Sequence, residues 1–248
     1  MRLRLIIAYD GRPYSGWQSQ RSANTIQDIL EKAFQNVAGR HITVHGAGRT
    51  DAGVHACAQV VCFHSERDLT LLTLRRALNA LTPEDLTVCA ADVVSDDFDP
   101  RRAARSRRYV YRIWNRAEPS PFWRRYAWHI PRPVDQEAMQ AAAALLVGEH
   151  DFSSFRATGC DARHPVRRVL HSRLERRGAL LLYEIEATAF LRHMVRNIVG
   201  TLVEVGQGRR SPDFGMLLAA RDRTLAAATA PAHGLCLVEI RYGAESGG

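Results

Sequence analysis

One carboxylate, Asp51, stands in a short glycine-rich stretch between two apolar segments. Gly46, Gly48 and Gly53 fall within eight residues around it, and Arg49 lies two positions before it. Glycines let a backbone turn sharply and approach a ligand closely, and a carboxylate on such a loop can act as a nucleophile or as a base. From the spacing alone, the favoured interpretation is an ordinary turn in which Asp51 caps the backbone. It does not fit a phosphate-binding loop, because the Lys and the Ser or Thr of that pattern are missing.

The elements around this loop indicate an alternating α and β order. Apolar periodicity, a helix cap at Asn24 or Thr25 and the break at Pro83 define them. In chain order we expect a strand at 2–10, a helix to about residue 38, strands at 41–46 and 57–64, a helix at 71–81 and a strand at 86–94. The order β-α-β-β-α-β is that of a ferredoxin-like unit.

The same order recurs after an acidic turn at residues 95–100. In chain order we expect a strand at 107–115, a helix at 134–147, strands at 167–175 and 179–187, helices at 191–206 and from about 211, and a strand at 235–242. We therefore predict an α+β fold with two halves, 1–98 and 99–248. Both would be ferredoxin-like, with antiparallel sheets facing each other across a cleft.

The helix predicted at 191–206 is amphipathic. Its apolar residues recur at helical spacing and define one face. The opposite face carries Arg192, His193, Arg196, Asn197 and Gly200. We expect this polar face to be solvated unless it serves a site. Glycine is costly in the middle of a helix, so Gly200 suggests that another segment packs closely there.

The charge of the chain indicates a polyanionic partner. Net charge is +8 and the sequence pI is about 9.7. Residues 101–125 alone hold nine arginines and one glutamate, interleaved with aromatic side chains. Arginines neutralise phosphates and aromatic rings stack on unpaired bases, so this window is typical of RNA binding. Lys32 is the only lysine, however, so part of the arginine excess reflects composition.

The exact amino-acid sequence of the Asp51 loop supports an RNA-related function. Gly-Arg-Thr-Asp-Ala-Gly-Val-His, at 48–55, resembles the signature of the tRNA pseudouridine synthase A family. Further segments resemble that family in its own order along almost the whole chain: Tyr-Asp-Gly at 9–11, Tyr-Ser-Gly-Trp-Gln at 14–18, Arg-Arg-Tyr-Val-Tyr at 107–111, Asp-Phe-Ser-Ser-Phe-Arg at 151–156, His-Met-Val-Arg-Asn-Ile-Val-Gly at 193–200, Ala-Ala-Ala-Thr-Ala at 226–230 and Gly-Leu at 234–235.

The resemblance implies a function and roles for the residues that match. It implies a homodimeric enzyme that isomerises uridine to pseudouridine on the 3′ side of the tRNA anticodon stem-loop, in a basic cleft between the two halves. Asp51 would be the catalytic residue, and Arg196 its partner. Tyr109 would contact the target base. The residues expected around these three are Arg49 in support of the active site, Leu235 lining the pocket, and Arg107 and Arg108 binding substrate.

The chemistry of this reaction sets what the site must contain. The C1′–N1 bond of uridine breaks and the ring rejoins through C5, so net redox is zero and no water is consumed. We therefore expect no metal and no cofactor. The reaction needs an ionised carboxylate near the sugar, and a nearby arginine favours that form. Whether Asp51 attacks C1′ or removes a proton from C2′ stays open.

Two other functions fit parts of the chain. A non-catalytic pair of RNA-binding modules would need the RNP aromatic pattern on its central strands, which is absent. A zinc-dependent base deaminase would need H-x-E and P-C-x-x-C, and neither occurs. Tyr109, like Tyr111, could also be a core residue, and so could Leu235.

The cysteine content and the hydropathy of the chain indicate the cellular compartment in which we expect the protein. The five cysteines are scattered and odd in number, which favours reduced thiols in a cytoplasm over a disulfide framework. His55 and Cys57 would face the opposite side of a strand from Cys62 and His64, so we predict no metal site there. No apolar run reaches the ~18–20 residues that span a membrane, and the N-terminus lacks a cleavage-site pattern.

Overall fold

The computed structural model describes residues 1–21, 24–65, 70–160 and 162–243. Within this part of the chain, strands and helices alternate as in a mixed α+β fold. The strands are β1 (Arg2–Tyr9), β2 (His45–Gly46), β3 (His55–His64), β4 (Leu86–Val94), β5 (Ala104–Asn115), β6 (Trp128–Ile130), β7 (Gly148–Asp151), β8 (Val166–Arg177), β9 (Leu180–Ala187) and β10 (Leu235–Tyr242). The α-helices are α1 (Ile26–Ala38), α2 (Leu71–Leu81), α3 (Gln136–Ala144), α4 (Met194–Gly206) and α5 (Phe214–Ala220).

The chain divides into two compact units. The first unit comprises Met1–Arg105 together with the last strand from Cys236, and the second comprises Ser106–Leu235. The sequence pattern counts the last strand in the second half, but β10 pairs in parallel with β3, Cys236 opposite His55. This pairing joins segments far apart in the chain, so no local pattern announces it. The division of the chain between residues 98 and 99 stays a prediction.

The first unit is built on β1. Its neighbours β3 and β4 both run antiparallel to it, β10 lies beyond β3, and the short β2 also pairs with β3. One face of β1 is fully apolar and buried: Leu3, Leu5, Ile7 and Tyr9. Helix α1 packs on this sheet through Phe34, whose ring lies 4.3 Å from that of Phe63, centroid to centroid.

The strands of the second unit pair in the order β6-β5-β9-β8-β7. β5 pairs antiparallel with β9, placing Tyr111 opposite Tyr183, and parallel with β6. Both of these tyrosines are fully buried. In the middle of β5, alternate residues Tyr109, Tyr111 and Ile113 are buried and point into the core of this unit.

Local signals set the helix ends where the sequence predicts them. The Thr25 hydroxyl accepts the Asp28 N–H at 3.2 Å, and Gly39 ends α1 with a left-handed φ of 74°. Residues 41–44 differ from the predicted strand, because only His45–Gly46 pairs with β3. The Glu31 carboxylate of α1 takes the place of a strand partner here. It accepts the Val44 N–H at 3.1 Å and contacts His41 at 3.1 Å.

Helix α4 begins later than predicted. Its first residue is Met194, and His193 before it adopts a left-handed φ of 60°. Leu191 and Arg192 therefore belong to the preceding loop. Among the described residues, no helix combines the length and the apolar character needed to cross a membrane.

Candidate functional site

The Asp51 loop, residues 46–54, connects β2 to β3 and is tied to β3. The Ala47 N–H donates to the Val60 carbonyl at 2.9 Å, and the buried Gln59 amide donates to the Gly48 carbonyl at 2.7 Å. At the tip, the Val54 N–H donates to the Asp51 carbonyl at 3.1 Å, which closes a turn. Asp51 is half-buried and Arg49 is exposed. Asp51 and Arg49, both predicted site residues, thus lie on one loop that is fixed to β3 by hydrogen bonds.

A second segment, residues 9–17, lies against this loop and fixes its middle. The Trp17 N–H donates to the Thr50 carbonyl at 3.0 Å. The hydroxyls of Tyr9 and Thr50, both buried, are hydrogen-bonded at 2.8 Å. Thr50 is therefore held through its backbone and its side chain, and Asp51 follows it directly.

Two glycines allow the backbones of segment and loop to touch. Gly16 has a φ of 98°, and a Cβ added there would lie 2.8 Å from the Thr50 carbonyl oxygen and 3.1 Å from the Ala52 nitrogen. A Cβ on Gly11 would overlap the Val54 carbonyl. A side chain at either position would push the Asp51 loop away. The Tyr-Asp-Gly and Tyr-Ser-Gly-Trp motifs thus form the support of this loop.

Two groups of the segment 9–17, which lies against the loop, have shifted pKa values. Burial raises the pKa of Tyr9 to about 12, although hydrogen bonds with Thr50 and Gln59 act in the opposite direction. Burial alone would raise the pKa of Asp10, but hydrogen bonds from Arg12 and the charges of His55 and Arg12 lower it below the usual value. Arg12 clamps Asp10 through Nε at 3.0 Å and Nη2 at 2.5 Å, and His55 Nδ1 lies 3.2 Å from Asp10 Oδ1.

In the second unit, Tyr109 and Tyr111 share one face of β5. Tyr111 is a core residue: its hydroxyl donates to the Pro231 carbonyl at 2.8 Å. Burial raises the pKa of Tyr111, and the charge of Arg196 partly offsets this increase. Tyr109 is 8% exposed, and its ring meets Phe190 edge-on with centroids 5.1 Å apart.

Arg196 is held by the segment 226–230. Its Nε donates to the Ala230 carbonyl at 2.8 Å, and the Ala230 N–H donates back to the Arg196 carbonyl at 3.1 Å. A Cβ on Gly200 would overlap the Ala228 carbonyl, so this glycine lets the segment lie directly on α4. The close packing predicted at Gly200 is confirmed.

Asn197 is the centre of a buried network beside Arg196. Its Nδ2 donates to the Phe155 carbonyl at 2.8 Å. Its Oδ1 accepts from the Thr229 hydroxyl at 2.6 Å and from Arg223 Nη2 at 3.1 Å. Asn197 has no exposed surface. The expectation of a solvated polar face is therefore wrong for Asn197 and Gly200, because residues 226–230 cover that side of α4.

The two predicted substrate arginines lie on opposite faces of β5. Arg107 is on the Tyr109 face and donates from Nη1 to the Thr188 carbonyl at 2.8 Å. Arg108 is on the other face, with an ion pair to Glu184 at 3.3 Å. Leu235 is 5% exposed and opens β10. Arg107 and Arg108 are neighbours in sequence but have different surroundings, because successive residues of a strand point to opposite faces.

Sequence reasoning alone gives no role to the support segment or to Asn197. The available signals were weak: Gly11 and Gly16 close to Tyr14 and Trp17, and an asparagine on the polar face of an amphipathic helix. Among residues 1–21, 24–65, 70–160 and 162–243, no three His, Cys, Asp or Glu side chains are grouped to hold a metal ion.

Comparison with known proteins gives a consistent picture. A sequence profile described as tRNA pseudouridine synthase matches residues 5–101 and 142–243. The tRNA pseudouridine synthase A of Myxococcus xanthus is 47% identical over 97% of this chain and 92% of its own length. Proteins of the same name from Geotalea uraniireducens and Vibrio cholerae are 43% and 44% identical, over 97% and 100% of this chain and 99% and 94% of their own lengths.

Among solved structures, a chain from a crystal structure of a Cbf5-Nop10-Gar1 complex overlaps 95% of this chain and 48% of its own length. The TM-score is 0.40 and the identity 12%, too low to support a shared fold. The sequence relatives carry the assignment, because they match nearly end to end at more than 40% identity. This chain belongs to the tRNA pseudouridine synthase family, which confirms the family and the enzyme class that its motifs predict.

Proposed function

We propose that this chain isomerises uridine to pseudouridine on the 3′ side of the tRNA anticodon stem-loop, with Asp51 as the catalytic carboxylate and no cofactor. The observation that carries the proposal is the construction around Asp51. Thr50, next to it, is held by Tyr9 and by Trp17, and a glycine backbone lies directly beneath. Catalytic groups need placement to within about 0.5 Å, and rigid neighbours supply it.

The carboxylate has one of two tasks in this reaction. It can attack C1′ and displace uracil, or it can remove the C2′ proton so that N1 leaves. Either way the ring turns and C5 bonds to C1′, which releases the carboxylate in the first route and is accompanied by return of the C2′ proton in the second. C5 then loses its proton and N1 gains one, so no atoms are gained or lost overall. Both routes need Asp51 in its ionised form. We propose that Arg196, and to a lesser degree Arg49, supply the positive charge that this form requires.

Tyr109 is the proposed contact of the target base. Its ring is held edge-on by Phe190, which suits stacking on the extruded uracil. Its hydroxyl could also take the C5 proton. Tyr109→Phe keeps the ring and removes the hydroxyl, whereas Tyr109→Leu removes both. If the hydroxyl is the base, the Phe variant should lose kcat with little change in tRNA affinity; if stacking alone matters, only the Leu variant should lose rate.

The remaining proposals concern binding. Arg107, on the Tyr109 face, is the better candidate for a phosphate contact, because Arg108 is paired with Glu184 on the other face. Leu235 is proposed to line the uridine pocket. The proposal also includes a fold of two ferredoxin-like halves with a basic cleft that binds the anticodon arm. We further propose that the protein is a homodimer and acts in the cytoplasm, where tRNA is found.

A tritium-release assay tests the function directly. Whole tRNA carrying C5-tritiated uridine is incubated with the wild type and with Asp51→Asn, and the modified positions are then mapped. The wild type should release tritium and convert uridines of the anticodon arm. Asp51→Asn should lose about 10²–10⁴-fold or more in rate while binding tRNA nearly as well. Substantial conversion by the variant would refute Asp51, and conversion confined to another arm would refute the proposed position.

A further inference from the structure

A rigid aromatic loop joins β5 to β6. It comprises residues 116–127 and is called here the Phe122 loop. Its backbone is held by hydrogen bonds from the Arg124 N–H to the Ser120 carbonyl at 3.0 Å and from the Ala127 N–H to the Trp123 carbonyl at 2.8 Å. The Trp123 N–H also donates to Ser120 Oγ at 3.2 Å. The loop has a defined shape although it contains no helix or strand.

This held loop presents an apolar ring to solvent. Phe122 is 83% exposed, more than any other large apolar side chain that the structure describes. A single exposed apolar residue is common on protein surfaces. Here, however, Arg124 and Arg125 follow it two and three positions later in the same loop. Both are exposed, and within the described ranges neither forms an ion pair. An aromatic ring among cations is the combination that binds unpaired nucleotides.

The loop lies away from the proposed base contact. Both of its ends are fixed at one end of β5, since Trp128 pairs with Ile113 and Ile130 with Asn115. Ile113 and Asn115 are four and six residues beyond Tyr109, about 13–20 Å along a strand. The loop therefore begins and ends at a distance from the residue that is proposed to contact the target base.

We infer that the Phe122 loop is a second RNA contact, in which Phe122 stacks on an unpaired base and Arg124 and Arg125 bind the adjacent phosphates. The inference rests on the proposed function for the identity of the RNA, a tRNA. Bases inside an RNA helix are covered by their neighbours, so the ring meets an unpaired base of a loop or an end. A polyanion also fits better than a second copy of this chain, whose net charge of +8 would oppose these arginines.

Substitutions at Phe122 separate stacking from simple apolar contact. Affinity for a whole tRNA is measured for Phe122→Ala, Phe122→Leu and Phe122→Trp, with Met216→Ala, also at an exposed apolar position, as the control. The Ala and Leu variants should raise Kd about 5-fold or more, the lower end of base–aromatic stacking. The Trp variant should stay close to wild type. Replacing Arg124 and Arg125 by Ala should flatten the dependence of log K on log salt by about one unit each.

Two results would overturn the inference. One is a Kd for Phe122→Ala equal to that of the wild type and of Met216→Ala. The other is loss of a dimer in Phe122→Ala with tRNA affinity unchanged, which would assign the loop to a second copy. Pseudouridine formation by the wild type is followed on the same tRNA. Its absence would count against the proposed function alone, because the Phe122 comparison measures affinity and not turnover.

Discussion

The Asp51 loop and the start of α4 are held in place by different physical means. Around Asp51 the main contacts join backbone to backbone, through the Trp17 N–H and across the bare Cα of Gly16. Around Arg196 the contacts run through a buried side chain, Asn197, which binds three neighbours at once. Both sites contain a glycine that allows close packing, but only the start of α4 also depends on a buried amide side chain that binds several segments.

This difference indicates which substitutions each site tolerates. A loop positioned by close backbone contact is damaged by any added Cβ, whatever its chemistry. A helix end positioned by a polar network is damaged by removing one amide, even where the volume is nearly kept, because its buried partners lose their hydrogen bonds. The predictions below test this contrast, from the largest expected effect to the smallest.

The largest effect is expected when either of the two charges proposed for the active site, Asp51 or Arg196, is removed. Arg196→Met should lower kcat on the order of 10²-fold, the cost of losing one preorganised electrostatic partner, and Arg196→Lys should restore part of it. If Arg196 acts on Asp51, the double variant Asp51→Asn with Arg196→Met should be no slower than Asp51→Asn alone. Single-turnover rates measure this. Multiplication of the two losses would show that the residues act independently.

The backbone contact is tested by glycine substitutions in and under the same loop. Gly16→Ala combines a left-handed φ with a Cβ 2.8 Å from the Thr50 carbonyl, and should cost about 2–4 kcal/mol of unfolding free energy. Pseudouridine formation should fall as the Asp51 loop shifts. Gly48→Ala is the matched control: no atom lies within 4 Å of its added Cβ, so its stability should change by less than about 0.5 kcal/mol. Equal stabilities in urea would contradict the proposed role of Gly16.

The polar network is tested at its centre. Asn197→Ala leaves the Phe155 carbonyl and the Thr229 hydroxyl without this partner, and should destabilise by about 2–3 kcal/mol. Thr229→Val removes only one of these bonds and should cost about 1 kcal/mol. Because Ala230 also holds Arg196, Asn197→Ala should lower kcat even at temperatures where it is fully folded. Leu174→Ala, another buried position of the second unit, should destabilise without this loss of kcat; equal losses would leave Asn197 a purely structural residue.

The sequence predicts what local chemistry determines. Helix α1 and helix α2 begin and end where caps and a proline place them, and β4 matches the strand expected at 86–94. Asp51 and Arg196 were identified through family motifs. What the sequence could not predict depends on contacts between distant segments: Glu31 taking the N–H of Val44, and β10 joining β3.

The same limit applies to the candidate site. Asn197 carries a polar side chain on a helix, which usually indicates solvent. Only the fold shows that residues 226–230 cover it. The support of the Asp51 loop by Gly11 and Gly16 is equally non-local, because a glycine pattern does not say which backbone will approach it.

The smallest effect is expected at Asp10, beneath the Asp51 loop. The charges and hydrogen bonds of Arg12 outweigh burial and lower the pKa of Asp10 below the ordinary 3.8. A carboxyl with a lower pKa in the folded state binds its proton more readily when unfolded, so it stabilises the fold above about pH 4. That stability is lost as pH falls through the folded pKa. Asp10→Asn should therefore lose about 1 kcal/mol or less near neutral pH, and the gap to the wild type should close in acid. Arg12→Met removes the hydrogen bonds to Asp10. It should also be less stable than the wild type near neutral pH, and this difference should disappear over the same acidic pH range. Urea unfolding at a series of pH values measures this difference, and a gap that stays constant down to acid pH would show that the Asp10 charge contributes nothing to holding this segment.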